Sequence, residues 1–248
     1  MKHWKPAAIA ALWSGALYAA PMPVVASFSI LGDVAQQIGG ERVAVQSLVG
    51  ANQDAHAYNL TSGDIKKIRE ARLVLLNGLG LEKAELQRAV KQSKVASAEA
   101  TAGIKPLAAD EHHHEHNHGH DHDHGEFDPH VWNDPVLMQR YAANVAIALI
   151  KADPAGSRYY QQRFKDYQNV LNQLNNYANQ QFGAVAPAKR KVLTGHDSFA
   201  YLGKRYQVKF ISPQGVSSEA EPSARQIAAI IRQIKAENVK AVFTENIK

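Results

Sequence analysis

Cysteine is absent from all 248 residues. Its absence excludes disulfides, thiolate metal sites, a cysteine nucleophile and lipid attachment through an N-terminal cysteine. The one HExxH-spaced run, His114-Glu115-His116-Asn117-His118, lies in a polar, apolar-poor stretch, so no HExxH helix of the zinc-protease kind is expected. Long blocks of Lys or Arg are missing too. The formal charge of +5 comes from 28 Lys+Arg against 23 Asp+Glu, but Lys2 and Lys5 sit at the extreme start and the remaining cations are dispersed. No nucleic-acid surface is expected. No internal repeat recurs at a solenoid period. Hydrophobic residues at 45% and charged residues at 21% fit a globular chain. The length suffices for one large domain or for two lobes of roughly 100 residues each.

Only the start of the chain carries an extended apolar run. Met1–Lys5 is short and basic, and Pro6–Ala20 is apolar and rich in small residues. This order of parts predicts a secretory signal peptide over residues 1–20, too short to span a bilayer and cut near Ala19. The expectation is export to the periplasm. The lack of cysteine argues against a lipoprotein.

Beyond the signal, short apolar runs alternate with helical patterns. Strands are predicted at Val24–Ser29, Val43–Val49, Leu73–Asn77 and Val95–Ser97, with helices at Leu31–Ile38, Asp64–Ala71 and Lys83–Gln92. That alternation implies parallel βαβ units covered on both faces. Asp134-Pro135 and Asp153-Pro154 each place an N-cap acid before a proline that starts a helix. The second such helix runs from Pro154 to Gln181 and is closed by Gly183. Its stripe of Tyr160, Phe164, Tyr167, Leu171, Leu174 and Ala178 fits either a coiled-coil seam or a helix lying along the body of the protein; its place between two α/β stretches favours the second. Strands at Lys191–Thr194, Val208–Ser212 and Val239–Thr244 then alternate with helices at Phe199–Arg205 and Ser223–Lys235.

The predicted fold is therefore α/β, with two parallel-sheet lobes and a long helix between them. Residues 21–152 form the N-terminal lobe, 153–183 the connecting helix, and 184–248 a C-terminal lobe expected to be incomplete because it stops just past a strand. Inside the first lobe, Asp110–Asp128 holds eight histidines, seven carboxylates and no Lys or Arg. It cannot build a core and is expected to be a surface loop.

Histidine carries the chemistry. Outside that loop and the signal, three remain: His56, His130 and His196. Each falls just after an element of the α/β pattern or in the loop that follows, and in open α/β sheets ligands gather beyond the carboxyl ends of strands. Three imidazoles with an open or oxygen-filled fourth position suit Zn²⁺. The loop offers a second metal feature, in His112, His113, His114, His116, His118, His120, His122 and His124. Imidazoles interleaved with carboxylates on a flexible segment suit rapid, reversible capture. Asp197, the carboxylate nearest in sequence to a candidate ligand, is expected to orient His196. No Glu is adjacent in sequence to any of the three.

These residues resemble those of the metal-binding components of ABC importers, specifically the zinc-type solute-binding proteins. The matching segments are Val24–Asp33, His56-Ala57-Tyr58, Asp128-Pro129-His130-Val131-Trp132, His196–Tyr201 and Glu219–Ser223, in family order along nearly the whole mature chain. The resemblance implies two α/β lobes joined by a long rigid helix with the metal between them, and a His-rich acidic loop in the first lobe. It places His56, His130 and His196 on metal-ligand positions. Manganese-type members carry a carboxylate at the position of His196, so nitrogen here favours Zn²⁺. Ala55 stands where relatives commonly have Pro or an acid, so no ligand comes from that position. A fourth, acidic ligand of relatives lies further along than Lys248, which leaves the sphere incomplete or completed by water.

The expected function is periplasmic zinc binding and delivery to an inner-membrane ABC permease and its ATPase, by a monomer that is not an enzyme. A secreted three-His zinc hydrolase is the alternative from another class; a zinc buffer or chaperone without a transporter is a third. Ligation by imidazole is expected to weaken as pH falls through about 6.5.

Overall fold

A computed structural model describes residues 20–109, 127–216, 218 and 222–246. The expected signal peptide (but for Ala20), nearly all of the His-rich loop, and residues 219–221 of the last family segment lie outside them. Among the described residues, no helix is long and apolar enough to cross a membrane.

The first lobe is built on four parallel strands, β1 (Met22–Phe28), β2 (Val43–Val49), β3 (Leu73–Leu76) and β4 (Ala96–Glu99), in the order β2-β1-β3-β4. Three helices connect them: α1 (Ser29–Gly39), α2 (Ser62–Glu70) and α3 (Ala84–Ser93). The run Leu73-Val74-Leu75-Leu76 shows why the sheet is covered twice. Leu73 and Leu75 enter the larger core with Leu31, Ile38, Tyr141 and Leu149, whereas Val74 and Leu76 enter a smaller one with Ile68, Leu86 and Val90. A central parallel strand buried on both faces needs apolar residues at every position, not at alternate ones.

Helix α4 (Pro135–Ala152) begins as predicted. The Asp134 carboxylate accepts from the N–H of Val136 at 2.8 Å, and proline occupies the first turn. The second Asp-Pro behaves differently. Pro154–Gly156 is a 3₁₀ turn, α5 spans Ser157–Ala184, and the Asp153 side chain makes no cap bond. Its Oδ2 instead accepts from Arg42 (2.7 Å) and from the Tyr160 hydroxyl (2.7 Å), tying the turn before β2 to the base of the long helix. At its far end α5 runs through Gly183. The stop comes from Pro187, which disfavours helical backbone in the residue before it; Val185 and Ala186 are already extended or near it.

The second lobe contains β5 (Lys191–Leu193), α6 (Ala200–Tyr206), β6 (Lys209–Ile211), α7 (Ala224–Glu237) and β7 (Ala241–Val242). Its parallel sheet has the order β6-β5-β7. Strand β7 is shorter than the apolar run suggested. The Val239 N–H is taken by the Ile234 carbonyl in the C-cap of α7, so pairing with β5 cannot begin until Ala241.

The stripe on α5 follows the body of the protein. Tyr160 and Leu171 are buried against α1 and α4, with Phe164 and Tyr167 partly buried between them, whereas Leu174 is 48% exposed. A coiled-coil seam is thereby excluded within this chain. Leu171→Ala should lower the unfolding free energy by about 2–5 kcal/mol, whereas Leu174→Ala should stay within about 0.5 kcal/mol of the parent. Urea unfolding of the two variants checks this; equal costs would contradict the one-sided burial.

Candidate metal centre

Three segments bring the histidines together. His56 lies in the loop between β2 and α2. Its own N–H bonds to Asp54 Oδ1 at 2.9 Å, a local turn closed by the side chain two residues back. The far end of the loop is anchored by Asp64, which accepts from the hydroxyls of Tyr58 and Thr61, each at 2.6 Å, and from the Thr61 N–H. Thr61 and Asp64 form the capping box of α2. These donors hold the Asp64 carboxyl down at about 2 despite the opposing effect of burial.

His130 precedes the short 3₁₀ turn Val131–Asn133 and is 2% exposed. Asp128 Oδ1 accepts its backbone N–H at 2.9 Å and sits 2.7 Å from ring Nδ1. His196 lies just past β5 and is also buried. Its Nδ1 is 2.5 Å from Glu245 Oε2. A carboxylate can only accept, so each Nδ1 carries the proton and each Nε2 is left with a bare lone pair.

Those lone pairs converge. His56 Nε2 is 3.1 Å from His130 Nε2, which is 3.3 Å from His196 Nε2. One ligand atom from each of the three residues falls within 4.8 Å of the other two. A cation about 2.0–2.1 Å from two nitrogens at the tetrahedral angle holds them about 3.3–3.4 Å apart. A neutral His56 can offer one N–H to His130, but then no proton is left to bridge His130 and His196. Two buried acceptors face each other across a gap of ligand-to-ligand size.

Burial also favours the neutral form of His56 and His196. Burial, and then the neighbouring imidazoles, push His56 down to about 3. Burial and His130 lower His196, with Glu245 opposing. At His56 and His196 the neutral, metal-binding form is therefore favoured to lower pH than in a free imidazole.

All three sequence-predicted ligands meet. The expectation that Asp197 orients His196 is corrected: the carboxylate against Nδ1 belongs to Glu245, 49 residues along the chain. The signal for it is register. Leu193 pairs with Val242 in adjacent parallel strands, so residues three further on, 196 and 245, emerge side by side. The role of Asp128 was likewise not foreseen, although it stands two residues before His130. The eight loop histidines lie outside the described residues.

Two parallel α/β lobes with imidazoles from both meeting between them define a metal-binding protein of the solute-binding class. The chain belongs to the family described as zinc-uptake complex component A, periplasmic, whose profile matches residues 24–248. Such proteins are the metal-binding, substrate-binding components of ABC transporters. Manganese-binding lipoprotein MntA of Bacillus subtilis is 31% identical over 229 residues, covering 91% of this chain and 71% of its own length. Zinc-binding protein TroA of Treponema pallidum is 30% identical over 223 residues, covering 90% and 70%. In structure, the periplasmic zinc-binding TroA of Treponema pallidum superposes with a TM-score of 0.83 at 27% identity, over 92% of this chain and 79% of that one. A Mn-bound periplasmic metal-binding protein from Candidatus Liberibacter asiaticus gives 0.76 at 27%, over 90% and 79%. Relatives are thus named for two different metals.

The lowered histidines make a linkage prediction. The unfolded chain takes up protons near 6.5 while folded His56 stays neutral to about 3, so the metal-free protein should lose stability as pH falls across that window. The contribution is fully present above 6.5. Each such histidine adds a slope of up to about 1.4 kcal/mol per pH unit. Urea midpoints measured with a chelator from pH 7.5 to pH 4.5 should fall more steeply for the parent than for His56→Ala; identical slopes would contradict a neutral, crowded His56.

Proposed function

We propose that this protein captures Zn²⁺ in the periplasm, after export by the signal peptide, and delivers it to an inner-membrane ABC permease driven by its ATPase. In this reading, residues 21–152 and 184–248 supply the two walls of the site and residues 153–183 the rigid connector. His56, His130 and His196 ligate the ion through Nε2, and water takes a fourth position. The ion is cargo, and the protein works as a monomer.

The observation that carries the reading is the pair of bare Nε2 atoms on His130 and His196, 3.3 Å apart and each backed by a carboxylate. Carboxylate backing fixes the tautomer and raises the basicity of a metal-bound imidazole. The choice of zinc over manganese rests on the donor set. Three nitrogens favour a borderline metal, whereas Mn²⁺ prefers oxygen. Binding also suits the site better than hydrolysis. Asp128 and Glu245 both face the Nδ1 edges of their imidazoles, away from the side where a metal-bound water would sit. The eight histidines between His112 and His124 act as an auxiliary capture segment that collects extra ions reversibly.

Calorimetric titration tests the assignment. His56→Ala, His130→Ala and His196→Ala should each weaken the tight zinc equivalent by at least about a hundredfold, since losing outer-shell partners alone costs 10–100-fold. Deleting residues 110–125 should remove only additional, weaker equivalents. Zinc should bind more tightly than manganese. A tight site that survives all three histidine changes, or a preference for manganese, would contradict the proposal.

A further inference from the structure

Between the lobes the ligands are not held equally. The segment carrying His130 is bonded to the stretch carrying His196 by three side chains. The Tyr201 hydroxyl donates to the Asp128 carbonyl at 2.7 Å and accepts the Leu107 N–H at 3.0 Å. Asn133 Nδ2 donates to the Ser198 carbonyl at 2.7 Å. Arg205 spans the carboxylate of Asp134, with Nε 2.9 Å from both oxygens and Nη2 2.8 Å from Oδ2. These contacts begin two residues before His130, end four residues after it, and reach residues two to nine past His196. They pin backbone on both sides, and Tyr201 and Asp134 are buried.

His56 has no comparable attachment to the second lobe among the described residues. Its loop reaches across through the Asp54–Ser218 and Asn52–Asn246 contacts, which are only partly buried or exposed.

We infer that Tyr201, Asn133 and Arg205 are positioning residues that hold His130 and His196 as a preformed pair across the lobe boundary, to which His56 is added as the separately held third ligand. The inference rests on the three-histidine reading above and assigns residues that do not touch the ion. A ligand pair fixed before binding avoids the ordering cost of assembling it from two lobes, and a donor placed within about half an ångström of its working position is what such support provides. Each contact contributes something different. Tyr201 closes a three-way junction of Asp128, Leu107 and its own helix. Asn133 links the two ligand-bearing segments directly. Arg205 uses a two-pronged grip that a lysine cannot reproduce.

Co²⁺ and Zn²⁺ titrations of the full chain test this. The visible bands of bound Co²⁺ report the coordination geometry, and competition with a chelator reports zinc affinity. Asn133→Ala and Tyr201→Phe should each weaken zinc about 10–100-fold and shift the Co²⁺ bands. Arg205→Ala should do the same, and Arg205→Lys, which keeps the charge without the two-pronged grip, should recover only part of the loss. The melting temperature of the metal-free protein identifies any variant that fails to fold, and Arg205→Lys, the mildest change, keeps the test open in that case. Folded variants with parental zinc affinity and parental Co²⁺ bands would overturn the positioning role while leaving the three-histidine site standing. A parent chain that binds neither metal tightly would overturn both.

Discussion

The structure turns on a crowding that neutral side chains do not resolve. Two buried imidazoles and a half-buried one place their Nε2 atoms 3.1 Å apart from His56 to His130 and 3.3 Å apart from His130 to His196, and the two buried ones have given their only ring proton to a carboxylate on the opposite edge. Burying lone pairs against one another costs free energy, because even with the His56 N–H shared, one of them loses water and gains no donor. A shared divalent cation removes that cost at once. The same burial that lowers His56 and His196 keeps the donors deprotonated and ready to bind.

Everything around the site serves that convergence. The sheets are parallel, and loops beyond the carboxyl ends of β2 and β5 carry His56 and His196 to meet His130. Helix α5 runs alongside both lobes with one face of its first half packed against α1 and α4, and Asp153 fixes its base to Arg42 and Tyr160. In both lobes the carboxylate behind an imidazole is supplied locally in space: Asp128 from the same turn, Glu245 from the neighbouring strand end. The family is defined by binding and handing over a metal. An arrangement with carboxylates behind the ligands, and none described beside the ion, suits that task.

Much of this was legible in the amino-acid order. Leu73–Leu76 reads as a doubly covered strand because all four positions are apolar, and Asp134-Pro135 marks the start of α4 because cap acid and proline act at fixed positions. The three histidines that meet are those left outside the signal and the His-rich loop, each just after an element of the α/β pattern or in the loop that follows. What escaped depends on pairing. Glu245 reaches His196 only through the register of β5 with β7, which no local pattern encodes. Asp153 has the same local signature as Asp134, yet Arg42 and Tyr160 compete for its carboxylate and the cap is lost. The shortening of β7 likewise follows from a tertiary competition, since the C-cap of α7 claims the Val239 N–H first.

The most direct measurement is zinc K-edge X-ray absorption on protein loaded with one equivalent of Zn²⁺, in a chain lacking residues 110–125 so that no loop imidazole contributes. The account predicts three imidazole nitrogens and one further light atom at about 2.0 Å, with the outer-shell scattering that imidazole rings produce. A shell with one imidazole or none, or a six-oxygen environment, would contradict it.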